Sequence, residues 1–226
     1  MERTIRSDQA SGAADRAPRS ARRGRRDYLP LAVVLLASLF PILGFGAYFR
    51  NEDGRYLVWL RDNPGLLDAL HLSVRYHSMT FRPVSEIVFR LIYRAAGYHP
   101  LAYQLVSGAC FAGAMALVYA IGVRLFESRR AAFLSILSFF ACFYFTLHYL
   151  YTPIQGLQFP IELLLVTAVA YLLLGALPKG TFGLPALAAG FLSILAVFNH
   201  PVSAFLLPVL AIPLVAVGLR RRGGEG

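Results

Sequence analysis

The chain has 226 residues, of which 57% are apolar and 15% charged, with a mean hydropathy of +0.57. A soluble domain carries roughly 25% charged residues, and this much apolar surface does not fit inside one water-soluble core. A disordered chain is excluded, and the composition points to an all-α polytopic membrane protein.

The net charge is +10, from 22 Lys and Arg against 12 Asp and Glu. It does not argue for nucleic acid, because the Arg residues stand in blocks beside apolar runs, as topology signals do. Cys110 and Cys142 both lie inside apolar runs without metal-ligand spacing, so neither a disulfide framework nor a zinc site is indicated.

Residues 1–27 hold eight Arg and four acids and little apolar surface. They read as a disordered, Arg-rich cytoplasmic tail. The apolar run Tyr28–Phe49 follows the block Arg22-Arg23-Gly24-Arg25-Arg26. About 20 residues suffice for one bilayer crossing, and no small-x-small cleavage site follows, so this is an uncleaved first span.

Residues 50–100 form the first outer loop, with seven Arg and five acids up to position 99. Apolar residues still recur at helical spacing: Leu57 and Leu60, then Leu66, Leu67, Leu70 and Val74, then Val84, Ile87, Val88, Leu91 and Ile92. These predict short amphipathic helices at the membrane surface, punctuated by Asn63-Pro64-Gly65 and Arg82-Pro83.

Five further spans are expected, at Leu101–Phe126, Ala131–Tyr151, Phe159–Leu177, Phe182–Phe198 and Val202–Leu219. The last two meet at Asn199-His200-Pro201. They are short enough to form a hairpin that does not fully emerge. With the N-terminus inside, Arg124, Arg129, Arg130, Lys179 and Arg220–Arg222 all fall on the cytoplasmic side. The two short outer turns carry no Lys or Arg. That is the positive-inside pattern. It gives a membrane module over residues 28–219 with about six spans, a cytoplasmic tail at 220–226, and both termini inside. The first loop then faces the periplasm or exterior.

Three features on the outer side carry candidate chemistry. In Asn51-Glu52-Asp53-Gly54-Arg55-Tyr56, adjacent carboxylates beyond the first span suit a general base or a shared proton. The plainer reading is a hydrated loop. A divalent metal at Glu52 and Asp53 is not indicated, and no cofactor is expected. In Phe81-Arg82-Pro83-Val84-Ser85-Glu86, an Arg before a rigid Pro suits a lipid phosphate, against the alternative of interfacial snorkelling. The third is a polar seam of His148, Tyr149, Tyr151, Gln155 and Gln158 leading to Glu162. An ionisable residue there is costly and marks a functional site by default. The competing reading is an interfacial Glu in the first helical turn, after Pro160, where the helix dipole favours a carboxylate. Arg82 lies on the same side and is expected to reach it. His200 reads either as a turn histidine or as part of the same face.

These features, in this order, resemble the GT-C superfamily of integral-membrane glycosyltransferases, whose members include protein O-mannosyltransferases and lipid A aminoarabinose transferases. The family's paired acids, small residue and Arg-Tyr correspond to Glu52-Asp53-Gly54-Arg55-Tyr56, with the acid order reversed. Its Tyr-Arg-Pro-Leu motif corresponds to Phe81-Arg82-Pro83-Val84. Its Gly-x-x-Pro turn and following tyrosine correspond to Gly97-Tyr98-His99-Pro100 and Tyr103. Where the family usually has a Lys between the last two of these spans, this chain has Phe198-Asn199-His200.

The resemblance covers about residues 28–215 and implies transfer of a sugar from a polyprenyl-phosphate donor to an extracytoplasmic acceptor. It further implies Asp53 or Glu52 as the base, Arg82 at the donor phosphate, and Glu162 and His148 lining the cavity; Arg55 and His200 are added as candidate substrate-binding residues. Membrane lipid is the expected surrounding, with the inner or plasma membrane as location. Full-length members are longer. The alternative is therefore a non-catalytic remnant or a partner subunit of a split enzyme.

Overall fold

The computed structural model describes residues 53–68, 82–144, 155–176, 183–200, 202–209 and 211–212, together with Ala32 and Leu36. Every regular element among them is helical. We number the helices α1 (Asp53–Asp62), α2 (Pro83–Ala96), α3 (Pro100–Phe126), α4 (Arg129–Tyr144), α5 (Gln155–Ala176) and α6 (Leu184–Asn199). A further helical stretch covers 203–209. Most of the expected first span, the loop segment 69–81 and the chain beyond 212 lie outside the described residues.

The ends of these helices follow from local sequence. Pro83, Pro100 and Pro185 stand in the first turns of α2, α3 and α6, where a missing N–H costs nothing. Gly97 ends α2 with φ +57°, and its N–H reaches the Tyr93 carbonyl at 2.7 Å. This left-handed cap favours glycine. Between α3 and α4 only Glu127 and Ser128 intervene, and Ser128 Oγ accepts the Ala131 N–H. A connection that short makes antiparallel neighbours.

α3 and α5 are long and apolar enough to cross a membrane, over Pro100–Phe126 and Leu157–Ala176, with mean hydropathies of 1.9 and 2.0. α6 is apolar but has 16 residues. That is about 24 Å of helix against a hydrocarbon core of about 30 Å.

α5 packs between α3 and α6, and α4 packs on α3. One apolar cluster joins α1, α2, α3 and α5 through Leu57, Leu60, Phe89, Tyr103, Leu157 and Ile161. A second joins α3 and α4 through Phe111, Ala114, Met115 and Ile136. The α3–α4 seam is closest at Gly122, where an added Cβ would stand 2.9 Å from Ala132 Cα and 3.0 Å from Ala132 Cβ. Gly122→Ala therefore forces the helices apart. It is expected to lower stability by about 1–3 kcal/mol, read as a drop in the thermal midpoint in detergent.

Two of the helices expected in the first loop are present as α1 and α2, while Leu70 and Val74 of the set Leu66, Leu67, Leu70 and Val74 lie outside the described residues; α2 also buries polar residues that its apolar pattern does not suggest. Ser85, Glu86, Phe89 and Arg90 are buried, while Ile87 and Leu91 are exposed. The inward side of α2 therefore mixes polar with apolar side chains, Ile92 lying in the core with Val84 and Val88 packed against it, while Ile87 and Leu91 face outward.

Candidate functional site

The N-terminus of α2, the start of α5 and the end of α6 meet in a buried polar cluster. Pro83 opens α2, which makes Arg82 the residue preceding it. From there its guanidinium donates from Nη1 to Gln158 Oε1 of α5, and Nη2 stands 3.2 Å from His200 Nε2. Glu162, one turn beyond Gln158, accepts from Ser203 Oγ at 2.6 Å through Oε1. Its Oε2 lies 3.4 Å from His200 Nδ1. His200 thus stands between Arg82 and Glu162. Asn199 braces the arrangement, donating to the Gln158 carbonyl at 3.1 Å and accepting from Ser85 Oγ of α2.

The expected proximity of Arg82 and Glu162 is present, carried through His200. The placement of Glu162 differs from the sequence expectation. α5 begins at Gln155, so Glu162 lies about two turns in, beyond the first-turn N–H groups. Ser203, His200 and the Arg82 charge hold its carboxylate in place of a free helix end.

Beside this cluster lies a cavity of about 200 Å³ lined by Phe159, Glu162, Leu163, Val166, His200 and, from the following helical stretch, Val202 and Leu206. Its walls are apolar apart from Glu162 and His200. The Phe159 and His200 rings lie 5.6 Å apart at its rim. The arrangement offers an apolar compartment, a carboxylate and a guanidinium on one side of the bundle. Burial holds the His200 imidazole below its usual range, and the Arg82 charge adds to this. Burial also lowers the Arg82 guanidinium, opposed by Glu162. An arginine nevertheless stays ionised in proteins.

A second buried group links α1 to α2. Tyr56 donates to Glu86 Oε1, and Arg90 donates to the Asn63 carbonyl while its guanidinium lies 5.0 Å from the Trp59 ring centre. Arg94 reaches the Pro64 carbonyl at 2.7 Å. Burial pushes the Glu86 carboxyl up to about 7, against the opposing Arg90 charge. A carboxyl raised in the folded state binds more protons there than in the unfolded chain. Its contribution is full below about 4.5 and is lost as pH rises through about 7. Stability in detergent is expected to fall across that window, and Glu86→Gln is expected to flatten the profile.

Asp53 opens α1 and is buried, with 1% of its surface exposed, rather than standing in a hydrated loop. Tyr56 follows one turn later, so both lie on the face of α1 turned to the bundle. Arg55 falls in the same turn, but its side chain lies outside the described residues, as do Glu52 and His148. Arg82, Glu162 and His200 are brought together. Ser203, Asn199 and Ser85 complete their cluster, and none was singled out from sequence as a site residue. The available signal was the run Asn199-His200-Pro201-Val202-Ser203 following an apolar helix. Among the described residues, no group of three His, Cys, Asp or Glu side chains is placed to hold a metal.

No family model, curated protein or solved structure matches this chain.

Proposed function

We propose that this chain is a membrane glycosyltransferase, or part of one, that takes a sugar from a polyprenyl-phosphate donor and passes it to an acceptor outside the cytoplasm. The observation that carries the reading is the buried line Arg82–His200–Glu162 at the edge of an apolar cavity beside a membrane-length helix. A lipid-phosphate donor needs three things at once: an apolar compartment for its chain, a cation for its phosphate and a carboxylate near the reacting carbon. The cluster supplies all three. Arg82 and Glu162 are two of the positions that the GT-C resemblance assigns to substrate.

In this reading about six spans cross the inner or plasma membrane with both ends cytoplasmic, and α1 and α2 lie at the outer surface. Arg82 steadies the donor phosphate by charge-assisted hydrogen bonds. Gln158 and Asn199 fix Arg82 and α2 against α5 and α6. Asp53 and Glu52 are the bases that the resemblance implies.

A second reading is a partner subunit that needs another membrane chain. It is favoured by the exposed apolar side chains along α6 and beyond, among them Leu187, Phe191, Ile194 and Phe205. Membranes containing the chain alone, supplied with radiolabelled polyprenyl-phosphate sugars, separate the two. Label transferred to an acceptor supports the enzyme. No transfer alone, with transfer restored by the product of a neighbouring gene, supports the subunit.

A further inference from the structure

At the end of the bundle away from the polar cluster, Arg124 of α3 lies across Tyr171 of α5. Its Cζ stands 3.9 Å from the Tyr171 ring centre, and Nη2 donates to the Tyr171 hydroxyl oxygen at 2.7 Å. Gly175, one turn further along α5, leaves room for the guanidinium: an added Cβ there would stand 3.3 Å from Arg124 Nη1. Arg124 is thus held between two helices while it remains exposed. Neither contact neutralises its charge, because the ring and the phenol are both uncharged. The Tyr171 oxygen accepts from Arg124, and among the described residues its own O–H has no acceptor. The pair therefore presents a fixed cation and a hydroxyl donor side by side.

The depth of this pair follows from helix geometry. Arg124 stands about 36 Å along α3 from Pro100, against a hydrocarbon core of about 30 Å and about 40–45 Å with headgroups. With α3 crossing the bilayer, Arg124 falls at the level of the lipid phosphates. Arg129 and Arg130, across the short turn to α4, are exposed as well, and the stretch 124–130 holds one acid, Glu127. The positive-inside bias is met by loosely held arginines; it does not ask for one fixed between two helices beside a free phenol proton. Basic pockets between membrane helices suit anionic headgroups.

We propose that the groove between the ends of α3 and α5 binds the headgroup phosphate of an anionic membrane lipid, with Arg124 and Tyr171 as its direct partners and Arg129 and Arg130 as surrounding charge. The site is separate from the cavity, and it does not depend on the glycosyl-transfer reading. A lipid is the occupant because the groove opens at phosphate depth beside two membrane-length helices.

The test titrates the full chain in detergent with phosphatidylglycerol and with phosphatidylcholine of the same acyl chains, bound lipid being read by native mass spectrometry. The first phosphatidylglycerol is expected to bind at least about tenfold more tightly than phosphatidylcholine, the scale of a few arginines at a charged lipid surface. Arg124→Gln is expected to lower this preference about fivefold. Tyr171→Phe keeps the ring beneath the guanidinium and is expected to lower it about two- to threefold. Arg61→Gln, at an exposed arginine of α1 paired with Asp62, is expected to leave it unchanged. Equal binding of the two lipids by the unaltered chain overturns the proposal. So does an undiminished preference in Arg124→Gln or, should that variant lose its fold, in Tyr171→Phe. Displacement of bound phosphatidylglycerol by inorganic phosphate, at ionic strength matched with chloride, overturns the lipid as the occupant. The readout needs no sugar transfer, so its failure and that of the transfer assay are distinct.

Discussion

In the proposed glycosyl transfer, replacing Arg82 with Ala is expected to lower the rate by about two to three orders of magnitude, the scale of removing one positioned donor from a developing anion. The side chain leaves three groups changed at once. Gln158 Oε1 loses its donor, His200 loses the guanidinium beside its Nε2, and Glu162 loses the nearby cation. Arg82→Lys recovers little of this, because one ammonium cannot span Gln158 and His200 as a planar fork does. Initial rates at saturating acceptor, on protein checked for monodispersity, provide the measurement. Rates within threefold for both variants would remove Arg82 from the donor site.

The largest stability change is expected at Arg90. Its side chain has 1% of its surface exposed, holds the Asn63 carbonyl and lies against the Trp59 ring. It also supplies the positive charge that opposes the upward push of burial on Glu86. Among the described residues Glu86 Oε2 has no hydrogen-bond partner, and the nearby cation is its main compensation there. Arg90→Ala leaves that carboxylate buried without it and opens the contact between α1 and α2. A loss of about 3–5 kcal/mol is expected, as for other buried pairs broken from one side. Adding Glu86→Gln to Arg90→Ala should restore part of it, because the uncompensated charge is then gone. Thermal unfolding in detergent at pH 8 reads both changes.

How far the sequence foretells this arrangement differs from residue to residue. Apolar periodicity and helix punctuation placed the helices well. Arg82-Pro83 and Gly97 mark the ends of α2, and Pro100 marks the start of α3. Periodicity did not say which face of α2 turns inward. Val84, Ile87, Val88, Leu91 and Ile92 form an apolar set, of which Val84, Val88 and Ile92 reach the core, but Ser85, Glu86 and Arg90 are buried beside them while Ile87 and Leu91 are exposed. Hydropathy alone is silent on the burial of those polar side chains. The depth of Glu162 was misjudged for a related reason. Pro160 suggests a helix start at its own position, whereas α5 begins at Gln155 and accommodates the proline inside its second turn. The meeting of Arg82 with Glu162 is legible, because both fall on one side of the expected topology. The intervening His200, and the Ser203 that holds the acid, required the fold: they lie 118 and 41 residues from the groups they contact.

The central claim is that Arg82, His200 and Glu162 act as one unit at the cavity. A double-mutant cycle tests it most directly, with Arg82→Ala, Glu162→Ala and the double variant compared by thermal stability in detergent. Arg82→Ala alone leaves a buried acid without its cation, at a cost of about 1–3 kcal/mol. With Glu162 already absent that cost disappears, so the double variant is expected to lose clearly less than the sum of the two single losses. Strict additivity of the two substitutions would contradict the account.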